Sequence, residues 1–292
     1  MYIKKEDLTI VIVTFESEHV IYECIKSIDE ELDIIVIDNS NNFKLKNKIE
    51  KKYKNTKCIL SSKNLGMGPG NNLGIENVKT NYALIINPDV ILEKNTINEL
   101  IEASKKIDKF AIIAPISDNR DYPNYKLFKK TFSSNINPFK VKSIDGFAML
   151  FNLKRLKEIK NFYFFDENFF LYLENDDLCK RVNDSNEDIY VVPKSKIKHF
   201  GGKAVNQLYK FEIELSRNWH WIWSKFYFNK KHYGFIFAFM NGLPSFLSAI
   251  IKFCIYFIFN NQKKKKIYYN RCSGFLNALF GRKSFYRPNI NS

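Results

Sequence analysis

The sequence predicts an α/β chain, with a mostly parallel sheet covered by helices on both faces and a helical, basic region after it. Three observations carry this prediction. Short β-rich runs alternate with amphipathic stretches as far as residue 116, the pattern of strands joined by crossover helices. Polar, turn-forming residues close each strand-like run. The last third changes composition, to apolar stretches and basic residues.

The elements follow in order. "LTIVIVTF" (8–15) suits a buried strand and is too short for a helix. "EHVIYECIKSI" (18–28) sets Val20, Ile21, Cys24, Ile25 and Ile28 along one helical face. "LDIIVID" (32–38) is a second strand, followed by a Lys-rich helical stretch, and "TKCILSS" (56–62) is a third. "YALIINPDV" (82–90) is a fourth, stopped by Pro88, which has no N–H to donate. "NTINELIEASKKI" (95–107) is a helix capped by Asn95 or Thr96, and "FAIIAPI" (110–116) is a fifth strand.

At 292 residues, with 45% apolar and 26% charged, the chain holds one large domain, or one domain and an appendage, around a folded core. "MYIKKEDLTI" carries charge and no apolar run, so no secretory signal is expected. The five cysteines are scattered without a CxxC pair, which argues against a zinc site or disulfide framework and fits a reducing compartment. The net charge of +15 is uneven. From Asn206 onward there are 14 Lys and Arg against only Glu212 and Glu214.

In parallel sheets, ligands gather at the carboxyl ends of the strands. Here those ends carry Thr14–Glu16, Asp38–Ser40, Ser62–Gly66 and Asn87–Asp89. Singly, such residues make turns and caps; one set per strand end points to a site. "NLGMGPGNNLGI" (64–75) is a loop entering a helix, and its glycines also permit close approach of a phosphate or sugar. Asp89 could hold a hard cation such as Mg2+ or Mn2+ from the protein side, with diphosphate oxygens completing the shell. His199, closing the strand-like "KSKIKH" before two glycines, is a candidate second ligand.

These stretches, with "IDGFAML", "FFLYLENDDLCKRV" and "IKHFGG", follow the order found in family 2 glycosyltransferases of the GT-A fold, over residues 8–205. The chain most resembles the bacterial rhamnosyltransferase and galactofuranosyltransferase type. The resemblance implies an inverting transferase of hexosyl or deoxyhexosyl groups, a UDP- or dTDP-sugar donor, and a divalent cation. It also implies a lipid-linked or glycan acceptor in lipopolysaccharide or polysaccharide biosynthesis. On the donor side it assigns Asp38 to the base or ribose, Thr14 and Phe15 to the base pocket, and Asn64 and Gly66 to the ribose and diphosphate. Asn87 and Asp89 stand for the metal-binding D-x-D motif. Asp145 and Gly146 floor the sugar pocket, and His199 joins the metal or diphosphate.

The acceptor hydroxyl must lose a proton, so a carboxylate is needed within reach. In related sequences the acidic block reads E-D-x-D with its second residue as base. Here that residue is Asn175, whose amide takes no proton at neutral pH. Glu174 and Asp177, three apart on one helical face, then become the candidates: Asp177 as base, Glu174 and Asn175 at the acceptor, Asp176 solvated. Asn175 also motivates a second class, a non-catalytic nucleotide-sugar-binding or assembly subunit. A nucleotidyltransferase would carry a basic glycine-rich loop after its first strand, where this chain has "TFESEH".

In the tail, "YGFIFAFMNGLPSFLSAII" (233–251) is uncharged, near the roughly 20 residues a spanning helix needs. Asn241–Pro244 is expected to break or kink it. Lys263–Lys266 and the tryptophans Trp219, Trp221 and Trp223 add the mixture found in interfacial helices. Residues 206–292 are therefore read as helices lying on, or dipping into, the anionic cytoplasmic leaflet of the inner membrane. One spanning helix, a soluble helical subdomain and a homo-oligomer interface are the alternatives. No recognition motif supports nucleic-acid binding.

Overall fold

The computed structural model describes residues 2–118, 123–129 and 131–290. The elements run β1 (Leu8–Thr14), α1 (Glu18–Lys26), β2 (Asp33–Asp38), α2 (Phe43–Lys52), β3 (Thr56–Leu60), α3 (Met67–Glu76), β4 (Tyr82–Ile86), β5 (Val90–Leu92) and α4 (Thr96–Lys106). Then come β6 (Ile112–Ser117), β7 (Tyr125–Lys126), β8 (Phe139–Lys140), β9 (Ser143–Ile144), β10 (Ala148–Asn152), α5 (Leu153–Glu158), α6 (Glu174–Asp184) and β11 (Ile189–His199). Three helices follow: α7 (Lys210–Tyr233), α8 (Phe235–Ile258) and α9 (Gln262–Leu279). The chain divides into two compact units, Met1–Asp166 with Asn175–Asn206, and Glu167–Glu174 with Gln207–Ser292. The sequence-based boundary at 205/206 had left residues 167–174 in the first domain.

The first unit is built on a sheet of order β3-β2-β1-β4-β10-β6-β11-β5, with β8 added to β11. Strands β3, β2, β1 and β4 are mutually parallel, as are β6 and β11. β10 runs antiparallel to both β4 and β6, and β5 and β8 are antiparallel to β11. The sheet is therefore mixed rather than mostly parallel. The chain reverses at Asp145–Phe147 and returns as a strand between β4 and β6. A strand buried on both faces shows no alternation, so its direction left no mark in the sequence.

Successive residues of β1 and β4 face opposite layers. Ile10, Ile12, Leu84 and Ile86 join the core under α1 and α4, while Val11, Ala83 and Ile85 join the core that holds Met149, Phe151 and Leu178. Both faces are dry, which is why these strands read as unbroken apolar runs. β4 ends before Pro88, as expected. Helix α4 starts where predicted, but Asn95 makes no side-chain cap and Thr96 Oγ1 donates instead to the Lys196 carbonyl. The glycine segment is more helical than expected: α3 begins at Met67, with Pro69 in its first turn, where a missing N–H costs nothing.

In the second unit, α7, α8 and α9 pack around Trp219, Trp223, Phe226, Ala238, Phe275 and Ala278. Segment 167–174 belongs to this core. Phe169 meets Tyr227 edge-on at 5.0 Å, Ser224 Oγ donates to the Leu171 carbonyl at 2.8 Å, and Ser284 Oγ to that of Asn168 at 2.6 Å. Of the expected break or kink, no break forms: α8 continues through Pro244 as one helix. Gly242 is a packing residue, since a Cβ there would come within 2.6 Å of the Phe275 ring.

Candidate active site

All the donor-side residues expected from the sequence lie in the first unit, at the carboxyl ends of its parallel strands. Thr14 and Asp38 are register partners at the ends of β1 and β2. Asp38 is fully buried, and its carboxylate accepts from Thr14 Oγ1 (3.1 Å), Ser40 N (3.1 Å) and Asn42 N (2.7 Å). A carboxylate has about four acceptor positions, so these bonds aim it and leave about one for a ligand. Phe15 follows, and Glu16, at φ 51°, donates its N–H to Ser40 Oγ at 2.6 Å. Burial, and then the nearby Asp38 charge, hold the Glu16 carboxyl above its ordinary range.

Asn39 staples the glycine loop to this corner: its Nδ2 donates to the Gly66 carbonyl at 3.0 Å and its Oδ1 accepts from Ser61 Oγ at 3.1 Å. Asn64 Oδ1 accepts from Gly66 N at 3.1 Å. Gly66 has φ 91°, a conformation a Cβ would strain, and turns the chain into α3.

A second corner forms after β4. Asn87 N donates to the Phe147 carbonyl at 3.0 Å, tying the strand end to the reversal that precedes β10. Asp89 is 2% exposed; its Oδ1 lies 3.5 Å from His199 Nε2, beyond good hydrogen-bond length, and has no hydrogen-bond partner. Asn87 Oδ1 is likewise buried and unsatisfied. The His199 ring stacks on Phe147 with centroids 3.9 Å apart. An unsatisfied carboxylate oxygen beside an imidazole, with a second unsatisfied oxygen two residues earlier on Asn87, suits a hard divalent cation. Among the described residues no group of three or more His, Cys, Asp or Glu is gathered to hold one.

The third corner departs most from expectation. Asn175 Nδ2 donates to the Ile144 carbonyl at 2.7 Å, and a Cβ on Gly146 would lie 3.3 Å from Asn175 Cβ. Asp177 is fully buried, and its Oδ2 accepts from Arg181 Nε at 2.8 Å. Arg181 also donates to the carbonyls of Tyr163, at 2.6 Å, and Phe164. A carboxylate held this way anchors α6 and is poorly placed to receive a proton from an incoming hydroxyl. Asp176, expected to be solvated, is 16% exposed at its side chain and meets Lys126 Nζ through both oxygens, at 2.8 and 3.0 Å. Glu174 opens α6 but groups by its contacts with the second unit.

The model of the family described as "Glycosyl transferase family 2" matches residues 9–173, more than half of the chain. The chain belongs to glycosyl transferase family 2. Among its family 2 relatives, it is 27% identical over 202 residues to the low-salt glycan biosynthesis hexosyltransferase Agl10 of Haloferax volcanii, covering 63% of this chain and 64% of that protein. It is 26% identical over 219 residues to the rhamnosyltransferase WbbL of Escherichia coli K12, covering 65% and 82%. The chain thus spans just under two thirds of the first relative's length.

Solved structures similar to this family 2 chain establish the GT-A fold. The mannosyltransferase PcManGT of Pyrobaculum calidifontis, in complex with GDP-Man and Mn2+, superposes with a TM-score of 0.56 at 10% identity, covering 95% of this chain and 88% of that one. S. aureus TarS 1-349 gives 0.52 at 14%, covering 96% and 93%. GalNAc-T7 with UDP, GalNAc and Mn2+ gives 0.54 at 15%, covering 66% and 43%.

Asn39 falls within the strand end Asp38–Ser40 already singled out in the sequence. Asn124, whose carbonyl accepts from Asp145 N at 2.9 Å, and Lys126, which meets Asp176, were not singled out. They carried no signal, since they lie in a stretch without periodicity and reach the site only through the fold.

Proposed function

We propose that the chain is an inverting glycosyltransferase that moves a hexosyl or deoxyhexosyl group from a UDP- or dTDP-linked donor to a lipid-linked or glycan acceptor in cell-surface polysaccharide synthesis. The observation that carries this reading is the buried, unsatisfied Asp89 carboxylate beside His199. It lies past the end of β4, and β4 and β2 flank β1. Strand spacing sets the ends of β2 and β4 about 10 Å apart, a separation suited to a nucleoside at Asp38 and its diphosphate near Asp89.

In this reading Thr14, Phe15 and Asp38 orient the nucleoside, Asn64 and Gly66 follow the ribose and diphosphate, and Asp145 and Gly146 floor the sugar. Asp89 and His199 would hold a magnesium or manganese ion, with Asn87 offering its amide oxygen. When bound, the ion offsets the negative charge that gathers on the leaving diphosphate.

The test is a thermal-shift series with UDP-glucose, UDP-N-acetylglucosamine, dTDP-rhamnose and GDP-mannose, with and without manganese, followed by assay of nucleoside diphosphate release. One donor is expected to raise Tm, more so with manganese, and to be turned over. No shift with any of them would end the reading. A donor that binds without turnover, even with bacterial glycolipid added, would favour the binding-subunit alternative that Asn175 suggests.

The proposal extends to location, on the anionic cytoplasmic face of the inner membrane. Helix Phe235–Ile258 is long and apolar enough to cross a membrane, by length and composition. Along it Ile236, Met240, Ile251, Phe257 and Ile258 are all exposed, and Lys263–Lys266 follow. Exposed apolar area near basic residues favours an anionic leaflet, at about 1 kcal/mol per Lys or Arg near its surface. Cys254, exposed on this helix, reports directly. Phosphatidylglycerol vesicles should slow its maleimide labelling several-fold. Cys24, Cys58 and Cys179 stay unlabelled throughout, because they are buried and burial pushes the Cys58 and Cys179 thiols up to about 12. Unchanged labelling of Cys254 would remove the membrane from the proposal, and labelling that slows with protein concentration alone would point to a homo-oligomer.

A further inference from the structure

We propose that Asp145 takes the proton from the acceptor hydroxyl, the role that Asn175 cannot fill. The inference rests on the transferase reading above and gives that site its base.

Of the other carboxylates at these corners, three are held by hydrogen bonds or ion pairs, two lie at the cation and nucleoside ends, and Glu174, 9% exposed, groups with the second unit. Asp38 accepts three hydrogen bonds, Asp176 is held by Lys126 through both oxygens, and Asp177 is buried on Arg181. Asp89 lies beside His199 at the cation corner, and Glu16 sits by Asp38 and Ser40 at the nucleoside end. Among the described residues, the Asp145 side chain has no hydrogen bond or ion pair; only its backbone is fixed, with N–H donating to the Asn124 carbonyl at 2.9 Å. It is half-buried on the turn between β9 and β10.

That turn is pinned from two sides. Asn175 Nδ2 holds the Ile144 carbonyl just before Asp145, at 2.7 Å. Asn87 N holds the Phe147 carbonyl two residues after it, at 3.0 Å, and Phe147 stacks on His199. Asp145 is thus carried between the amide at position 175 and the corner where Asn87 Oδ1 and Asp89 Oδ1 are buried without hydrogen-bond partners. The charged groups facing it are Asp176, Lys126 and His199. A carboxylate left without an ion pair is a better proton acceptor than one clamped by a cation.

In the reaction the acceptor oxygen bonds to the anomeric carbon while the bond from that carbon to the diphosphate oxygen breaks. The bonding pair leaves with the nucleoside diphosphate. The hydroxyl proton passes to an Asp145 carboxylate oxygen and from there to water.

The experiment uses the full chain with the donor that gives the largest manganese-dependent shift among the four nucleotide sugars above. Release of nucleoside diphosphate is compared for wild type, Asp145→Asn and Asp145→Glu. Asp145→Asn keeps an oxygen and adds an N–H against the sugar that this turn floors, so it is expected to keep the donor-induced shift and to lose turnover by about 10²-fold or more. Asp145→Glu, which restores a carboxylate on the same turn, should return at least about tenfold of that loss. Turnover by Asp145→Asn within about threefold of wild type, loss of the donor-induced shift together with turnover, or an Asp145→Glu variant no faster than Asp145→Asn would each overturn the assignment. A wild-type chain that binds donor and releases no diphosphate fails at the transferase reading instead, before the variants are compared.

Discussion

In the Asp89→Ala variant, manganese is expected to lose its effect on donor binding, and turnover should fall by at least about 10²-fold, the scale set by removing one electrostatic stabiliser of the transition state. The ligand-free chain should behave in the opposite sense. Asp89 is 2% exposed, and its Oδ1 has no hydrogen-bond partner. A buried polar oxygen left unsatisfied costs about 1–3 kcal/mol, more when charged. Alanine removes that cost, so the apo Tm should stay level or rise while function is lost. A structural carboxylate would give the reverse signature. A variant whose apo Tm drops by several degrees, or whose donor binding still responds to manganese, would show that Asp89 serves the fold and not a ligand.

Asp177→Ala is expected to act on stability. Removing one partner of a buried ion pair costs about 3–5 kcal/mol, because the other charge stays buried without compensation. Arg181 is 15% exposed at its side chain, and its guanidinium also ties the Tyr163 and Phe164 carbonyls and lies over the Tyr163 ring, 4.0 Å from the centroid. Loss of Asp177 therefore loosens α6 together with segment 162–165 in one step. Urea unfolding should show a lower midpoint with an unchanged slope. Donor turnover, measured well below the new transition, should stay within a few-fold of wild type. A stable variant without turnover would return Asp177 to the role of base that its helical spacing had suggested.

The contrast between these two aspartates shows what the sequence could convey. The positions of Asp38 and Asp89 at strand ends were legible because runs such as "IIVID" and "ALIINPD" mark those ends clearly. Spacing along α6 placed Asp177 and Glu174 on one face but could not say that this face turns inward at Asp177, toward an arginine one helical turn away. That depends on how α6 lies on the sheet, and its polarity pattern does not encode it. The antiparallel β10 was hidden for a related reason, since a strand buried on both faces is apolar whichever way it runs. In the tail, "NGLP" read as a breaker from local propensity. Packing against Phe275 overrides that propensity, because Gly242 is where α8 and α9 touch.

Segment 167–174 sets a timetable for synthesis. Its Phe169 and Phe170 are buried among helices that leave the ribosome much later, and the bond from Ser284 to Asn168 joins residues 116 apart. At about 5–20 residues per second, that interval lasts roughly 6–23 s. Until then two phenylalanines emerge from the growing chain with nothing to cover them, flanked on both sides by residues of a sheet that is already assembling. Shortening the gene at codon 206 would make this interval permanent. A truncated chain would keep the aromatic loop and never receive its cover, so its solubility, more than its chemistry, would decide whether it could be studied. Permuting the gene so that α7–α9 are made first would close the interval instead, and the gain in soluble yield would measure how much the waiting loop costs.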